Sequence, residues 1–180
     1  MTGLAVVWLT GPSGAGKTTL ARAVHQGLVA AGRTAVVLDG DDLRASLSRD
    51  LGFTKTDRDE QVRRVSELAL AAIRAGEIAI VALISPYREA RARARALLSQ
   101  DARFVEVHVD CPLEMLLRRD EKGLYRRALS GELPAFTGIS DPYEHPPRPE
   151  LRIDTSRSSV RESVQQILKL LEVSSLSDHG

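Results

Sequence analysis

The sequence is poor in cysteine, with Cys111 as the single example among 180 residues. No disulfide can form within one chain, which fits a reducing compartment. No apolar run approaches the roughly 18 residues that a membrane-spanning helix needs. The N-terminus has no basic region followed by a long apolar core, so it lacks the pattern of a signal peptide. We therefore expect a cytoplasmic protein with no membrane partner.

An excess of charge of either sign is also missing. Lysine and arginine number 25 and aspartate and glutamate number 24, so the formal net charge is +1. Because proteins that bind nucleic acid usually carry a broad positive field, we expect no nucleic-acid partner. The length and the hydrophobic content of 43% fit one domain with a real core. Any anion binding must come from a local site.

Short apolar runs alternate with helical patterns along the chain. The predicted strands are 4–10, 34–42, 77–85, 103–112 and 150–154, and the predicted helices are 17–31, 57–75, 86–98 and 160–171. This alternation predicts an α/β fold, a three-layer sandwich whose five-stranded sheet is mainly parallel. The charged segment 118–149 is too long for a plain connection and is predicted to be a lid. We predict one domain over 1–173 and a polar, disordered tail at 174–180.

The segment GPSGAGKTT follows the first strand and satisfies the pattern G-x-x-x-x-G-K-[ST]. Its glycines let backbone N–H groups point inward, and the helix that follows adds the positive end of its dipole. In this pattern Lys17 reaches the β- and γ-phosphates, and the Thr18 hydroxyl holds Mg²⁺. The pattern predicts a P-loop NTPase type of fold that binds ATP or GTP. The predicted nucleotide-binding residues are Gly11, Ser13, Gly14, Ala15, Gly16, Lys17, Thr18 and Thr19.

A carboxylate-rich segment, LDGDDLR, ends the second predicted strand. Asp39 and Asp41 share a face if the strand continues, but Gly40 makes a turn equally possible. Either carboxylate is suited to orienting a magnesium-bound water or an attacking hydroxyl. The N-K-x-D motif of Ras-like GTPases is absent, which favours a kinase. Four arginines that follow are candidates for holding an anionic acceptor: Arg44, Arg58, Arg63 and Arg64.

Seven segments in this order resemble the adenylylsulphate kinases: GPSGAGKTT, LDGDDLR, RDLGFTKTDRDEQVRR, ISPYREAR, RDEKGLYRRA, FTGISDPYE and ELRIDTS. The resemblance extends from Trp8 to Leu171. It implies a kinase that transfers the γ-phosphoryl group of ATP to the 3′-hydroxyl of adenosine 5′-phosphosulphate (APS). The product is 3′-phosphoadenosine 5′-phosphosulphate (PAPS). The resemblance also implies Mg²⁺ as cofactor and a homodimer.

The resemblance implies a role for each matching residue. Asp41 is the implied base or positioning group at the 3′-hydroxyl, and Asp39 lies near the magnesium beside Thr18. Lys17 is implied to be catalytic, and Arg119 to contact ATP. An aromatic face with arginines suits a flat base that carries an anionic tail. The implied APS-binding residues are Asp41, Arg44, Phe53, Arg58, Gln61, Ile84, Ser85, Lys122, Phe136 and Thr137.

Ser85 belongs to a position that is often labelled a phosphoserine intermediate in this family. No histidine or lysine flanks Ser85 to activate its hydroxyl. Direct in-line transfer needs only positioning and charge neutralisation. We therefore interpret Ser85 as a catalytic-site positioning and binding residue. The alternating arginines at 91, 93 and 95 are a different case, and we predict a solvated helix face for them.

Two positions depart from the family pattern, which usually has asparagine where this chain has Asp42 and Gln61. Asp42 places an added negative charge near a predicted site for a doubly anionic acceptor, and Gln61 lengthens the reach of the amide. These departures keep two alternatives open: a P-loop kinase for another small hydroxyl-bearing metabolite, or a nucleotide-binding protein without transfer activity. Four retained residues argue against the second alternative: Lys17, Thr18, Asp41 and Arg58.

Overall fold

The computed structural model describes residues 3–176, in which five strands form one sheet with the order β2-β3-β1-β4-β5. Every pairing in this sheet is parallel. The predicted α/β class and the five-stranded parallel sheet are therefore confirmed. The strands are β1 (Ala5–Thr10), β2 (Ala35–Asp39), β3 (Ile78–Ala82), β4 (Arg103–Asp110) and β5 (Leu151–Asp154).

Four long helices lie close to their predicted positions, and three short ones were not predicted. The long helices are α1 (Lys17–Ala30), α3 (Lys55–Arg74), α4 (Arg88–Leu98) and α7 (Val160–Leu176), and the short ones are α2 (Gly40–Arg44), α5 (Leu113–Arg118) and α6 (Leu124–Leu129). A helix of one or two turns shows too little periodicity to be recognised in sequence. Helix α7 continues to Leu176, into the predicted tail. The rest of that tail, residues 177–180, lies outside the described residues.

Strand β1 shows how the three layers arise, because all six of its residues are buried. Its alternate residues Val7 and Leu9 pack in a cluster with α1, whereas Val6 and Trp8 pack in a second cluster with α3. A strand that is buried on both faces must have helices on both faces. Each fully buried large apolar side chain contributes about 1.5–3 kcal/mol to folding. The two clusters therefore hold the sheet rigidly beneath its loops.

Strand β2 ends earlier than predicted, at Asp39, because the Asp39 side chain caps the next helix. Its Oδ1 accepts hydrogen bonds from the backbone N–H groups of Asp41 at 2.9 Å and Asp42 at 3.3 Å. An aspartate at this position satisfies N–H groups that a helix start leaves free. Of the two geometries left open by the sequence, the turn is therefore the correct one. It places Asp39 and Asp41 at the carboxyl edge of the sheet, where ligands of parallel sheets bind.

Candidate active site

The loop between β1 and α1 can be built only with glycine at two positions. A Cβ atom on Gly11 would lie 2.1 Å from the carbonyl oxygen of Val109, so only glycine lets the loop approach β4 this closely. Gly16 has a φ angle of 101° and is the N-cap of α1, a conformation that side chains disfavour. Gly11 itself does not line the cleft described below. Its role in the structure is to let the loop pack against β4.

Lys17 is nearly buried beneath this loop. Its Nζ donates hydrogen bonds to the carbonyl oxygens of Gly11 at 2.9 Å and Pro12 at 2.7 Å. Burial lowers the pKa of Lys17 from 10.5 to about 8, although the negative charges of Asp41 and Asp39 oppose that shift. A phosphate that enters the cleft would therefore stabilise the charged ammonium.

Thr18 and Asp39 form a pair of oxygen ligands at the mouth of the loop. The Thr18 hydroxyl donates to Oδ2 of Asp39 at 2.5 Å, and Asp39 is buried. No group of three or more His, Cys, Asp or Glu side chains that could hold a metal ion occurs among residues 3–176. Mg²⁺ prefers a few protein oxygens together with substrate phosphates and water. The pair therefore fits the predicted magnesium site.

Two adjacent carboxylates in α2 point in different directions. Asp41 lines the cleft, and no described residue donates a hydrogen bond to its carboxylate. Asp42 has a side chain that is 73% exposed, and its carboxylate lies 3.9 Å from Arg22. The added charge at Asp42 therefore faces solvent, contrary to the expectation that it would lie near the acceptor. This placement removes one reason to favour a different acceptor.

Most of the predicted site residues line one cleft of about 640 Å³ above the carboxyl edge of the sheet. A second cavity of about 550 Å³ adjoins it, and Asp41, Arg44 and Arg58 line both. The predicted residues of the first cleft are Ser13, Gly14, Ala15, Gly16, Lys17, Thr18, Thr19, Asp39, Asp41, Arg44, Arg58, Gln61, Ile84, Ser85, Arg119 and Lys122. Phe53, Phe136 and Thr137 line the second cavity, together with Lys122.

Two of the four candidate arginines surround an aromatic ring at this junction. The Arg44 guanidinium lies 4.7 Å from the centre of the Phe53 ring, and that of Arg58 lies 5.8 Å from it. Burial and the nearby charge of Arg58 lower the pKa of Arg44. Two cations that repel each other beside an exposed ring suit an anionic aromatic ligand.

The other two candidate arginines do not reach the cleft, so that prediction is wrong for them. Arg63 pairs with Glu60 and Glu67 on the exposed face of α3. Arg64 pairs with Glu60 and also with Asp50. Consecutive residues of an α-helix point in directions about 100° apart, so Arg58, Arg63 and Arg64 cannot all face the same ligand.

Gln61 lies at the base of the cleft and is 1% exposed. Neither the nitrogen nor the oxygen of its side-chain amide has a hydrogen-bond partner among the described residues. A buried amide without partners costs free energy unless a ligand satisfies it. The longer amide at this position is therefore compatible with ligand recognition.

Ser85 adopts a left-handed backbone conformation, with a φ angle of 40°. Its Oγ accepts a hydrogen bond from the Trp8 indole N–H at 3.1 Å and donates to the Thr10 hydroxyl at 3.0 Å. None of these partners is a base that could activate the hydroxyl. The geometry supports the interpretation of Ser85 as a positioning residue.

The predicted lid segment contacts the body of the domain at several points. The Tyr125 hydroxyl donates to the Ser13 carbonyl at 2.6 Å, and within the segment itself the Phe136 ring packs edge-on against Tyr125. Arg58 donates to the Ala135 carbonyl at 2.7 Å. Glu144 N–H donates to the Pro86 carbonyl at 2.8 Å, so the end of the segment lies on the loop after β3. Closure of this segment stays a prediction.

Four residues at the far end of the cleft, where the predicted Arg119 also lies, were not predicted from the sequence: Thr155, Ser158, Val160 and Ser163. Arg119 donates to the Thr155 hydroxyl and carbonyl, at 3.1 and 2.7 Å, and the Thr155 hydroxyl donates to the Ala15 carbonyl. Ser158, Val160 and Ser163 line the same end. The segment ELRIDTS contains Thr155, and its place at a strand end was the available signal.

The predicted solvated arginine face is also wrong in part. Arg91 is 3% exposed and forms an ion pair of 3.0 Å with the buried Glu106 of β4. Arg95 is half-buried and pairs with Glu106 and Glu150, while Arg93 is exposed. Because α4 packs on β4, a buried carboxylate there requires a buried cation.

Proteins of known family and known structure are similar to this chain over most of its length. The family model described as Adenylylsulphate kinase matches residues 3–154. An adenylyl-sulfate kinase of Geotalea uraniireducens is 50% identical over 167 residues, which cover 93% of this chain and 80% of that protein. The solved structure of the Mycobacterium tuberculosis APS kinase CysC in complex with AMPPNP and APS has a TM-score of 0.91 at 43% identity, covering 96% and 99% of the two chains. A hexameric APS kinase from Thiobacillus denitrificans has a TM-score of 0.73 at 39% identity, covering 96% of this chain and 30% of that one.

Proposed function

The chain belongs to the adenylylsulphate kinase family, and on that premise we propose that it phosphorylates APS at the 3′-hydroxyl with ATP, giving PAPS and ADP. The observation that carries this proposal is the position of Asp41. Its free carboxylate lies where the phosphate cleft meets the cavity that holds the arginine–phenylalanine cluster. Donor and acceptor can therefore meet at one carboxylate.

The donor side of the reaction depends on the loop between β1 and α1. The backbone N–H groups of this loop and the start of α1 bind the phosphates of ATP. Lys17 exchanges its carbonyl partners for the β- and γ-phosphates and neutralises charge that develops in the transition state. Arg119 and Thr155 line the other end of the cleft, and we assign them to the adenosine part of ATP.

Thr18 and Asp39 are the residues that would hold Mg²⁺. When bound, the ion neutralises negative charge on the phosphates. Asp39 also caps α2 through its other oxygen, so the same side chain that would hold the ion fixes the position of Asp41. Of the two carboxylates in this turn, Asp39 would hold the metal ion and Asp41 would act on the acceptor hydroxyl.

On the acceptor side, Asp41 orients the 3′-hydroxyl of APS and accepts its proton. Phe53 and Phe136 offer aromatic faces for the adenine, and Arg44 and Arg58 offer positive charge for the phosphosulphate. Gln61 has a free amide for polar groups of the nucleotide. Lys122 lines both cavities, and no hydrogen-bond partner for its ammonium is found in the described part of the chain.

The experiment that tests the proposed function measures ADP release from MgATP with and without APS and identifies the nucleotide product. APS-dependent ADP that is matched by PAPS supports the proposal. ADP release without APS dependence, or release that depends on another alcohol, contradicts it. Nucleotide binding with no turnover would indicate a protein without transfer activity.

We also propose a cytoplasmic homodimer, in line with the family resemblance. No helix within residues 3–176 is long and apolar enough to span a bilayer. The Thiobacillus relative is hexameric by its description, so the assembly of this chain needs its own measurement. Sedimentation equilibrium that gives twice the chain mass of 19.6 kDa supports the dimer, and any other mass contradicts it.

Replacing Arg58 by alanine should raise the KM for APS by about tenfold or more and leave the KM for MgATP nearly unchanged. Arg58 donates to the carbonyls of Phe53 and Ala135 and lies 3.6 Å from the Asp141 carboxylate, whereas its Nη1 makes no hydrogen bond with a described residue. The matched control is Arg63→Ala, which removes an arginine from the same helix outside the cleft. Equal increases in both KM values would mean that Arg58 acts through the fold alone.

The affinity for MgAMPPNP should weaken above about pH 8, because burial lowers the pKa of Lys17 to about 8. Above that pH the free protein holds a neutral Lys17, and binding must then take up a proton. The dissociation constant should rise about tenfold per pH unit there. Calorimetry in two buffers of different ionisation enthalpy measures both the affinity and the proton uptake. Lys17→Ala should bind more weakly, with no such pH dependence; an onset only near pH 10 in the native protein would contradict the shift.

A further inference from the structure

The loop after β3 places Ile84 and Ser85 in the cleft, and contacts with neighbouring residues must hold the backbone of this loop in place. Ser85 is one of two residues other than glycine, within the described chain, that have a positive φ angle. Such a conformation persists only when surrounding contacts fix it. The side chain of Ser85 is held by Trp8 and Thr10, as described above. Its carbonyl needs a partner as well.

Arg91 supplies that partner from the first turns of α4. Its Nη1 donates to the Ser85 carbonyl at 2.6 Å, and its Nη2 donates to the Glu144 carbonyl at 2.6 Å. Its Nε donates to Oε1 of Glu106 at 3.0 Å. All three guanidinium nitrogens therefore have a partner, and the planar fork can sit in one orientation only.

The same guanidinium joins two loops that are far apart in the sequence. One is the Ile84–Ser85 loop, and the other is the end of the lid segment at Tyr143 and Glu144. The Arg91 guanidinium lies 5.9 Å from the centre of the Tyr143 ring, and the Tyr143 hydroxyl lies 2.9 Å from that of Thr10. Arg91 does not itself line either cavity. Any effect of Arg91 on a ligand must therefore pass through the Ile84–Ser85 loop or through the end of the lid segment.

We infer that Arg91 is a positioning residue for the acceptor, which fixes the Ile84–Ser85 backbone and ties it to the end of the lid segment. This inference rests on the proposed function and on the family resemblance, which implies that Ile84 and Ser85 contact APS; Ile84 lines both cavities. Arg91 has no contact with Lys17 or Thr18 in the structure. Loss of the guanidinium hydrogen bonds of Arg91 should therefore weaken the binding of APS and leave the binding of ATP largely unchanged.

The variant that tests this is Arg91→Met combined with Glu106→Met. Removing the arginine alone would leave a buried, unpaired carboxylate, whereas replacing both members of a buried ion pair by apolar residues is often tolerated. We expect the KM for APS to rise about tenfold, from the loss of two charge-assisted hydrogen bonds. The KM for MgATP should stay unchanged. Arg91→Lys, which keeps the charge beside Glu106 but lacks the planar guanidinium, should also raise the KM for APS and leave the KM for MgATP unchanged, and it serves if the double variant does not fold.

Trp8 offers a second measurement that needs no turnover, because it is the single tryptophan of the chain and its indole N–H bonds Ser85. If Arg91 fixes Ser85, the emission maximum of Trp8 should shift in Arg91→Lys, which is the variant used for this measurement because Glu106 is the direct neighbour of Trp8 on β4 and must stay in place. The control is Arg93→Met on the exposed side of α4, which should change neither the KM values nor the emission.

The results of these experiments distinguish a failure of the positioning role of Arg91 from a failure of the proposed function. A raised KM for APS alone, with shifted Trp8 emission, supports the positioning role. An unchanged KM for APS, unchanged emission, or equal increases in both KM values overturns it. If the native protein does not phosphorylate APS, the proposed function fails, and the Trp8 emission alone then decides whether Arg91 holds Ser85.

Discussion

Replacing Lys17 by alanine is expected to lower kcat by on the order of 10³-fold, because the variant lacks the ammonium that neutralises the transferring phosphoryl group. Among residues 3–176, the hydrogen-bond partners of this ammonium are the carbonyls of Gly11 and Pro12. Alanine is a good helix former at the start of α1, so the fold should remain. Steady-state kinetics with APS, together with a thermal melt, measures the two effects separately.

The matched control for this variant is Lys169→Ala, which removes an exposed lysine from α7. Its kcat and its melting temperature should both resemble those of the native protein. Near-normal turnover by Lys17→Ala would overturn the assignment of the cleft as the phosphate site. A lowered melting temperature would mean that Lys17 is needed for folding as well as for transfer.

Replacing Asp41 by asparagine should lower kcat by about 10²-fold or more, because the amide keeps the shape of the side chain but cannot accept the hydroxyl proton. The KM for APS should change less than kcat. The substitution also removes a negative charge that opposes the effect of burial on Lys17, so the pKa of Lys17 should fall further. Rates measured well below pH 8, where Lys17 stays charged in both proteins, keep this second effect small.

The adjacent Asp42→Asn variant is the control for Asp41→Asn. It makes the same chemical change one residue away, on a carboxylate that faces Arg22 and solvent. Its kinetics with APS should match those of the native protein. If Asp41→Asn also kept native kcat, Asp41 would not be the base, and transfer would depend on positioning by other groups. A large gain in APS affinity for Asp42→Asn would contradict the outward orientation of that carboxylate.

The local parts of the site were predictable because their chemistry resides in consecutive residues. The glycine and lysine spacing of residues 11–19 needs only a strand before it and a helix after it, and the structure has both. The carboxyl ends of parallel strands then bring this loop near Asp39 and Ser85, wherever the helices pack. The fold class and the main cleft therefore follow from pattern alone.

The direction of each charged side chain could not be predicted in the same way. Arg58 and Arg63 are five residues apart on α3, yet one lines the cleft and the other pairs with carboxylates on the surface. Asp41 and Asp42 are adjacent, and only Asp41 faces the cleft. Spacing on a helix gives relative directions, but the absolute direction depends on which face packs against the sheet.

Local periodicity and backbone conformation are enough to predict the α/β class, the phosphate loop with Lys17 and Thr18, and the set of carboxylates at the strand ends. Three other features of the described residues depend on tertiary packing: Asp42 faces solvent, the Gln61 amide in the cleft has no partner, and Arg91 is buried against Glu106 and Ser85. Those outcomes depend on contacts between residues far apart in the chain. Such contacts form only when α3, α4 and the lid segment have packed on the sheet.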